Sequence, residues 1–315
     1  MNPNNVKVSV IIPTYNRANS IHQSIQSVLN QTYKNIELII VDDGSTDSTM
    51  NTLEKYGQQL KAVYQKNQGP SYSRNYGVSL SSGEFIAFLD SDDTWEPTKI
   101  ENQVQLLDLC GRFVPCCICN AVMRNSKGKT TTLFKLTNIN PRSPSGILLN
   151  PTEILATRFI LFNQTAIVRR KSFEAIGGFN ENLNILEDYD IALRLSSEGP
   201  WAYIDRLLVK KNESDHSIGK KGRDNRLGEL ITVISILDKF ISDQKMNSNL
   251  NKILGVELRR LKNLQTIASL SHSHEKISLI LGKLMGIKNI ILKILGQKTL
   301  PDLISIHDWK SKHYQ

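Results

Sequence analysis

Nowhere does the 315-residue chain contain the run of about 18 uncharged apolar residues that a membrane-spanning helix needs. Its most apolar late stretch, residues 275 to 297 (EKISLILGKLMGIKNIILKILGQ), is interrupted by Lys283, Lys288 and Lys293. Cysteine is scarce. There are four, three of them in Cys116-Cys117-Ile118-Cys119, with no second pair at zinc-ligand spacing. That argues against a zinc finger and for reduced, buried thiols in a strand, as expected in the cytoplasm. The opening MNPNNVKVSV has neither the basic start nor the long apolar core of a secretory leader, which again suggests a cytoplasmic location. No internal repeat is visible. Hydrophobic content of 40% and charged content of 22% are ordinary for a soluble globular chain.

The formal charge of +9 is unevenly placed. From Lys210 onward there are 19 Lys and Arg against 10 Asp and Glu, whereas residues 1 to 209 hold 20 of each. The basic region lacks interleaved aromatic and basic residues, so no nucleic-acid partner is expected. Two readings of it stay open. Its helices pack on each other or on the main domain, or they make peripheral contact with anionic membrane, with lysine stems snorkelling.

Hydrophobic periodicity predicts the order of elements. Residues 6 to 12 (VKVSVII), 36 to 41 (IELIIV), 61 to 65 and 85 to 89 (FIAFL) read as strands. Helices are predicted over 20 to 29, from a cap at Asp47 through Tyr56, and over 71 to 81 with Tyr72, Tyr76 and Leu80 in step. A further helix carries Ile100, Val104 and Leu107; strands follow at 116 to 122 and 164 to 169. Residues 125 to 150 look like loop with one hairpin at most. Gly177-Gly178-Phe179 forms a turn, and 187 to 196 a helix with an acidic first turn. Beyond about residue 213 the pattern is helical. Alternating strands and helices imply an α/β fold with a mostly parallel, Rossmann-like sheet and helices on both faces. The expected division is a domain over 1 to 212 and a basic, helical C-terminal extension over 213 to 315. Trp95 and Trp201 are expected to pack rather than to bind sugar.

In such sheets ligands sit beyond the carboxyl ends of the strands. Three polar clusters fall there: Pro13-Thr14-Tyr15-Asn16-Arg17, Asp42-Asp43-Gly44-Ser45, and Asp90-Ser91-Asp92-Asp93. Three carboxylates in four positions repel unless they point into water or share a cation. Mg²⁺ and Mn²⁺ prefer such oxygen ligands. Each cluster also has a plainer explanation. Asp92 or Asp93 caps the following helix, Asp42 and Asp43 form an Asx turn with Gly44, Arg74 lies on a solvated helix face, and Glu187 and Asp188 offset a helix dipole.

Taken together and in order, SVIIPTYNR, VDDGSTD, RNYG, FLDSDDTW, GGFNE and LEDYDIALRL resemble the family 2 glycosyltransferases, over about residues 6 to 212. The resemblance implies the GT-A fold and inverting transfer of a sugar from a nucleoside diphosphate donor, most often a UDP-sugar, with Mg²⁺ or Mn²⁺. It implies a glycan or lipid-linked acceptor of the bacterial polysaccharide and cell-envelope type. Pro13, Thr14, Tyr15 and Arg17 would belong to the donor pocket. Asp43, with Asp42 beside it, would read the base edge, and Arg74 with Asn75 would lie near the diphosphate. Asp90 and Ser91 would approach the ribose, and Asp92 would hold the metal. On the acceptor side stand Gly177, Gly178 and Glu187, with Asp188 as catalytic base. Many relatives have Asp where this chain has Asn180. Many relatives place a His or a basic residue near the diphosphate; Lys211, Asn212 and His216 are the candidates for that place, and His216 is a second candidate metal ligand.

Rival functions are a metal-dependent nucleotidyltransferase and a non-catalytic nucleotide-sugar-binding protein. The first usually carries a glycine-rich loop after strand one, which Pro13 to Arg17 lacks. The second has no need for Asp90, Asp92 and Asp188 together.

Overall fold

The computed structural model describes residues 6–124, 130–156, 160, 162–183, 185–212, 226–243, 248–269, 303–304, 306 and 309. Strands β1 (Val8–Thr14), β2 (Ile36–Asp42), β3 (Lys61–Tyr64) and β4 (Phe85–Phe88) run parallel in the order β4-β1-β2-β3. Helices α1 (Ile21–Leu29), α2 (Thr49–Glu54) and α3 (Pro70–Ser79) connect them. Parallel strands covered on both faces are apolar almost throughout, which is why β1, β2 and β4 were legible as continuous runs. Register sets Thr14 beside Asp42, and Ile11 beside Ile39 and Phe88. The polar residues after each strand therefore emerge at one edge, as expected.

Two local details differ from the periodicity reading. The helix after Asp47 starts at Thr49, and the Asp47 carboxylate accepts the Thr49 N–H at 2.9 Å from two residues ahead. Helix α3 buries Ser71, Ser73, Arg74, Gly77 and Val78 rather than its tyrosine stripe. The reason is close approach: a Cβ on Gly77 would lie 2.5 Å from Ile11 Cγ2, so the small face must lie on β1.

The sheet continues through β9 (Ala166–Arg169), antiparallel to β4 and to β6 (Cys116–Arg124). Parallel to β6 runs β10 (Trp201–Lys211), a strand the sequence reading missed. Its buried run breaks at Asp205-Arg206-Leu207, where the register shifts and three consecutive residues are exposed. The short β5 (Thr94–Trp95) pairs with it. Residues 130 to 148 are more ordered than a loop. They form β7 (Thr130–Thr132), hairpinned onto β6, then α5 (Leu133–Thr137) and β8 (Ser145–Leu148), antiparallel to β10. Helix α4 (Lys99–Cys110) precedes β6; α6 (Pro151–Leu155), α7 (Phe162–Thr165), α8 (Arg170–Ala175) and α9 (Glu187–Leu195) follow β8. All four cysteines are free and buried, and Trp95 and Trp201 are packed inside, as expected.

Two longer helices, α10 (Arg226–Asp243) and α11 (Ser248–Ser269), lie in the basic region. Their Leu230, Leu237, Phe240, Leu254 and Leu261 join the same buried cluster as Tyr189 and Ile191 of α9. This favours packing for the described part of the region. The chain then adds β11 (Leu303–Ile304) to the sheet edge at β8, and Trp309 is buried with its indole N–H donating to Cys110 O at 3.1 Å. Residues 275 to 297 and His216 lie outside the described residues. Among the described residues, no helix is long and apolar enough to cross a membrane.

Candidate active site

The carboxylate oxygens of Asp90, Asp92 and Asp93 lie within 4.8 Å of one another just past β4. Residues distant in the chain hold each of them. Asp90 Oδ1 accepts Arg74 Nη2 from α3 at 2.8 Å, and its other oxygen accepts the Gln164 amide from α7. Asp92 meets Arg17 Nη2, at the end of β1, at 3.8 Å, and its carbonyl accepts Asn212 Nδ2 at 2.8 Å. Asp93 is fully buried. Its Oδ1 accepts the Asn212 N–H at 2.9 Å, and Lys211 Nζ lies 3.8 Å from Oδ2. Burial, with like charge from Asp90 and Asp92, pushes the Asp93 carboxyl up to about 8 against the pull of Lys211 and Asn212.

Among the described residues the Asp92 carboxylate accepts no hydrogen bond, whereas both Asp90 oxygens are engaged. Asp92 is thus the carboxylate with lone pairs to offer, and its neighbours are hard oxygen donors. That set fits Mg²⁺ or Mn²⁺. Ser91 is buried between them.

Arg74 is not on a solvated helix face. It is 4% exposed, Nη1 lies 3.0 Å from Glu187 Oε1, and its guanidinium sits 5.3 Å from the Phe179 ring centre. Against the effect of burial, Asp90 and Glu187 hold it firmly charged. One guanidinium therefore joins the carboxylate cluster to the start of α9, although residues 74 and 187 are far apart in sequence.

At that start Leu186 adopts a left-handed conformation, φ 61°, where a branched side chain is uncommon. Glu187 is spent on Arg74. Asp188 makes no ion pair among the described residues; its Oδ1 accepts only the adjacent Tyr189 N–H, at 3.0 Å. Desolvation and the nearby charges of Glu187 and Asp90 raise its carboxyl to about 8, against Arg74 and Lys211. Lys211, despite burial, is held above the ordinary lysine value by Asp93, Asp90, Asp92 and Asp188. It is the cation of this cluster that the sequence pointed to alongside His216.

Asn75 explains the double glycine. It accepts the Phe179 N–H at 2.9 Å and donates to Phe179 O at 2.9 Å. Gly177 and Gly178 both have positive φ, +76° and +68°, and a Cβ on Gly178 would lie 2.8 Å from Asn75 Oδ1. The turn is clamped to α3 one residue after Arg74.

At the ends of β1 and β2 the Asx turn and the pocket coexist. Asp42 Oδ1 accepts the Ser45 N–H at 2.9 Å. Asp43 accepts Gln65 Nε2 at 2.7 Å and the Gln68 and Gly69 N–H groups at 2.8 Å each. Asp42 Oδ2 and Thr14 Oγ1 are buried without a hydrogen-bond partner among the described residues. Pro13 is level with Val41, one residue before Thr14, and Tyr15 is 46% exposed, its ring open to a ligand. Asn16 pins this end by accepting the Thr46 N–H at 2.7 Å.

Periodicity assigns Gln164 to the start of a strand, whereas it lies on α7 beside Asp90; the polar Asn163-Gln164 pair between apolar segments is the signal that marks it.

The sequence profile described as Glycosyl transferase family 2 matches residues 9–177. An uncharacterized glycosyltransferase of Rickettsia felis is 32% identical over 216 residues, 68% of this chain and 35% of that protein. The chain thus spans about a third of that relative's length. The Escherichia coli UDP-Glc:alpha-D-GlcNAc-diphosphoundecaprenol beta-1,3-glucosyltransferase WfaP is 43% identical over 103 residues, 32% of this chain and 41% of its own. The crystal structure of S. aureus TarS 1-349 in complex with UDP-GlcNAc superimposes with a TM-score of 0.65 at 22% identity, covering 81% of this chain and 72% of that TarS fragment. The mannosyltransferase PcManGT of Pyrobaculum calidifontis, in complex with GDP-Man and Mn²⁺, gives 0.59 at 18% identity, over 90% of this chain and 81% of its own. At these identities the two structures speak for the fold alone.

Proposed function

The chain belongs to glycosyltransferase family 2, with its GT-A-like fold, and we propose that it transfers a hexosyl or N-acetylhexosaminyl group from a UDP-sugar to a glycan or lipid-linked hydroxyl, with inversion. The observation that carries this reading is the Asp90–Arg74–Glu187 bridge. It sets a three-carboxylate cluster and Asp188, the carboxylate of α9 that is unpaired among the described residues, on either side of a single buried guanidinium.

Thr14, Tyr15, Asp42 and Asp43 form the base side of the donor pocket; the partnerless Asp42 Oδ2 and Thr14 Oγ1 are the atoms a base or ribose would satisfy. Asp92, with Asp90 and Asp93 beside it, would hold Mg²⁺ or Mn²⁺. When bound, such an ion neutralises the charge that develops on a diphosphate leaving group. Lys211 adds a fixed positive charge at the same edge. Asp188 takes the proton from the attacking hydroxyl. Its raised proton affinity makes it, once ionised, a stronger acceptor than a carboxylate near 4. Arg74 keeps Glu187 out of that role by occupying it. The named donor and acceptor of the Escherichia coli relative support a UDP-sugar and a lipid-linked acceptor.

The experiment is a panel of UDP- and GDP-sugars with Mn²⁺ or Mg²⁺, following release of the nucleoside diphosphate. Metal-dependent release of UDP from one UDP-sugar is the expected result. Release of pyrophosphate from a nucleoside triphosphate and a sugar phosphate would instead indicate a nucleotidyltransferase. Metal-dependent binding without turnover would indicate a binding protein.

A further inference from the structure

Gln164 is a neutral side chain among charges. It lies on α7, 2% exposed, and its amide Nε2 donates to one oxygen of Asp90 while Arg74 holds the other at 2.8 Å. Only the N–H end of an amide suits an ionised carboxylate. Gln164 is itself braced from behind. Its carbonyl accepts the Trp95 indole N–H at 2.9 Å, and the carbonyl of Thr165 accepts Gln103 Nε2 at 2.8 Å. Trp95 is the register partner of Val209 on β10, and the Lys99 ammonium lies 4.0 Å from its ring centre. A line of contacts thus runs from β10, whose end grips Asp92 and Asp93, through Trp95 to Gln164 and Asp90.

We infer that Gln164 is a positioning residue of the donor site, fixing the Asp90 carboxylate so that it faces the donor while Asp92 stays available to a cation. This rests on the glycosyltransferase reading above. The physical reason is crowding. Asp90 stands among Asp92, Asp93, Glu187 and Asp188, and like charge drives a carboxylate in that company to turn away unless it is held. Arg74 compensates charge at one oxygen, yet the terminal torsion of an aspartate is broad, so one contact leaves its plane free. The amide supplies the second contact and a direction without adding charge. A lysine or arginine in its place would compete with the cation, and a carboxylate would repel Asp90.

The test compares wild type, Gln164→Leu and Gln164→Glu in the full chain, by calorimetry of UDP binding in Mn²⁺ and by thermal melts. Leucine keeps bulk without a donor; glutamate keeps shape but replaces the donor by an acceptor. Positioning predicts donor affinity in the order wild type, Leu, Glu, with the Leu variant about ten-fold weaker. Trp95→Phe, which removes the indole N–H from Gln164, should weaken UDP binding by less. A purely structural role predicts a lower melting temperature in Leu and in Glu with UDP affinity of the folded fraction unchanged in both; that result overturns the inference, as does equal affinity in all three. Wild-type protein that binds neither UDP nor GDP with Mn²⁺ would remove the donor-site reading, and the inference with it.

Discussion

Replacing Asp188 by asparagine takes away a proton acceptor and little else. Asparagine is isosteric and its Oδ1 still accepts the Tyr189 N–H, now at 3.0 Å. The Arg74 pairs with Asp90 and Glu187, at 2.8 and 3.0 Å, are untouched. Removing one carboxylate beside Glu187 and Asp90 also relieves like-charge repulsion, so the variant should melt no lower than wild type at pH 8. A lost general base costs about 10²–10⁴ in rate, or roughly 3 to 5 kcal/mol of barrier. The assay is steady-state UDP release with the preferred donor, together with UDP affinity by calorimetry. We expect kcat to fall by that factor while UDP affinity stays within about two-fold. Wild-type kcat/KM should rise with pH on an acid limb set by Asp188, whose carboxyl sits at about 8 in the ligand-free protein, and a bound cation should move the limb lower. The limb should vanish in Asp188→Asn. Glu187→Gln should lose less activity but more stability, because it strips a charge partner from buried Arg74. A larger kcat loss in Glu187→Gln, or a loss in Asp188→Asn traced to weaker UDP binding, would refute the assignment.

Three further outcomes are expected. Asp92→Asn should abolish metal-dependent UDP binding and turnover while leaving the melt unchanged; normal turnover in chelator-stripped buffer supplemented with Mn²⁺ would strike Asp92 from the metal site. Lys99 is fully buried with no hydrogen-bond partner for its ammonium among the described residues, and burial lowers its pKa to about 8. Lys99→Met should therefore raise the melting temperature by several degrees at pH 7, since the desolvation relieved exceeds the ~1–2 kcal/mol of its contact with Trp95; a lower melting temperature would contradict this. Asp93 binds its proton more tightly in the folded protein, so its stabilisation is complete below about pH 4 and is lost as pH rises through about 8. In metal-free buffer Asp93→Asn should match wild type at low pH and become relatively more stable toward pH 8, and a gap independent of pH would contradict the burial argument.

Arg74 illustrates what could and could not be read beforehand. Its place near the carboxylates followed from motif order, but its engagement by Asp90 and Glu187 did not. The same holds for Asp42 and Asp43. Their turn with Gly44 and Ser45 is a local event and was legible, while the Gln68 and Gly69 amides that fill Asp43 arrive from the loop before α3. The strand at 201 to 211 is not legible in the sequence because its register shift exposes Asp205, Arg206 and Leu207, which cuts the continuous buried run into two short pieces.

By itself the sequence determined the parallel half of the sheet, the polar clusters at its strand ends and the double-glycine turn. These rest on apolar continuity, on period, and on backbone conformations that only certain residues adopt, all of them properties of neighbours in the chain. Only the tertiary structure decided which carboxylate is free. Among the described residues Asp188 is left unpaired because Arg74 takes its neighbour Glu187, 113 residues further along the chain than Arg74, instead. Asp92 is left open because Arg74 and Gln164 close on Asp90, and Lys211 and Asn212 close on Asp93. Ion pairs and hydrogen bonds between distant segments depend on where packing puts them, and no local pattern carries that information.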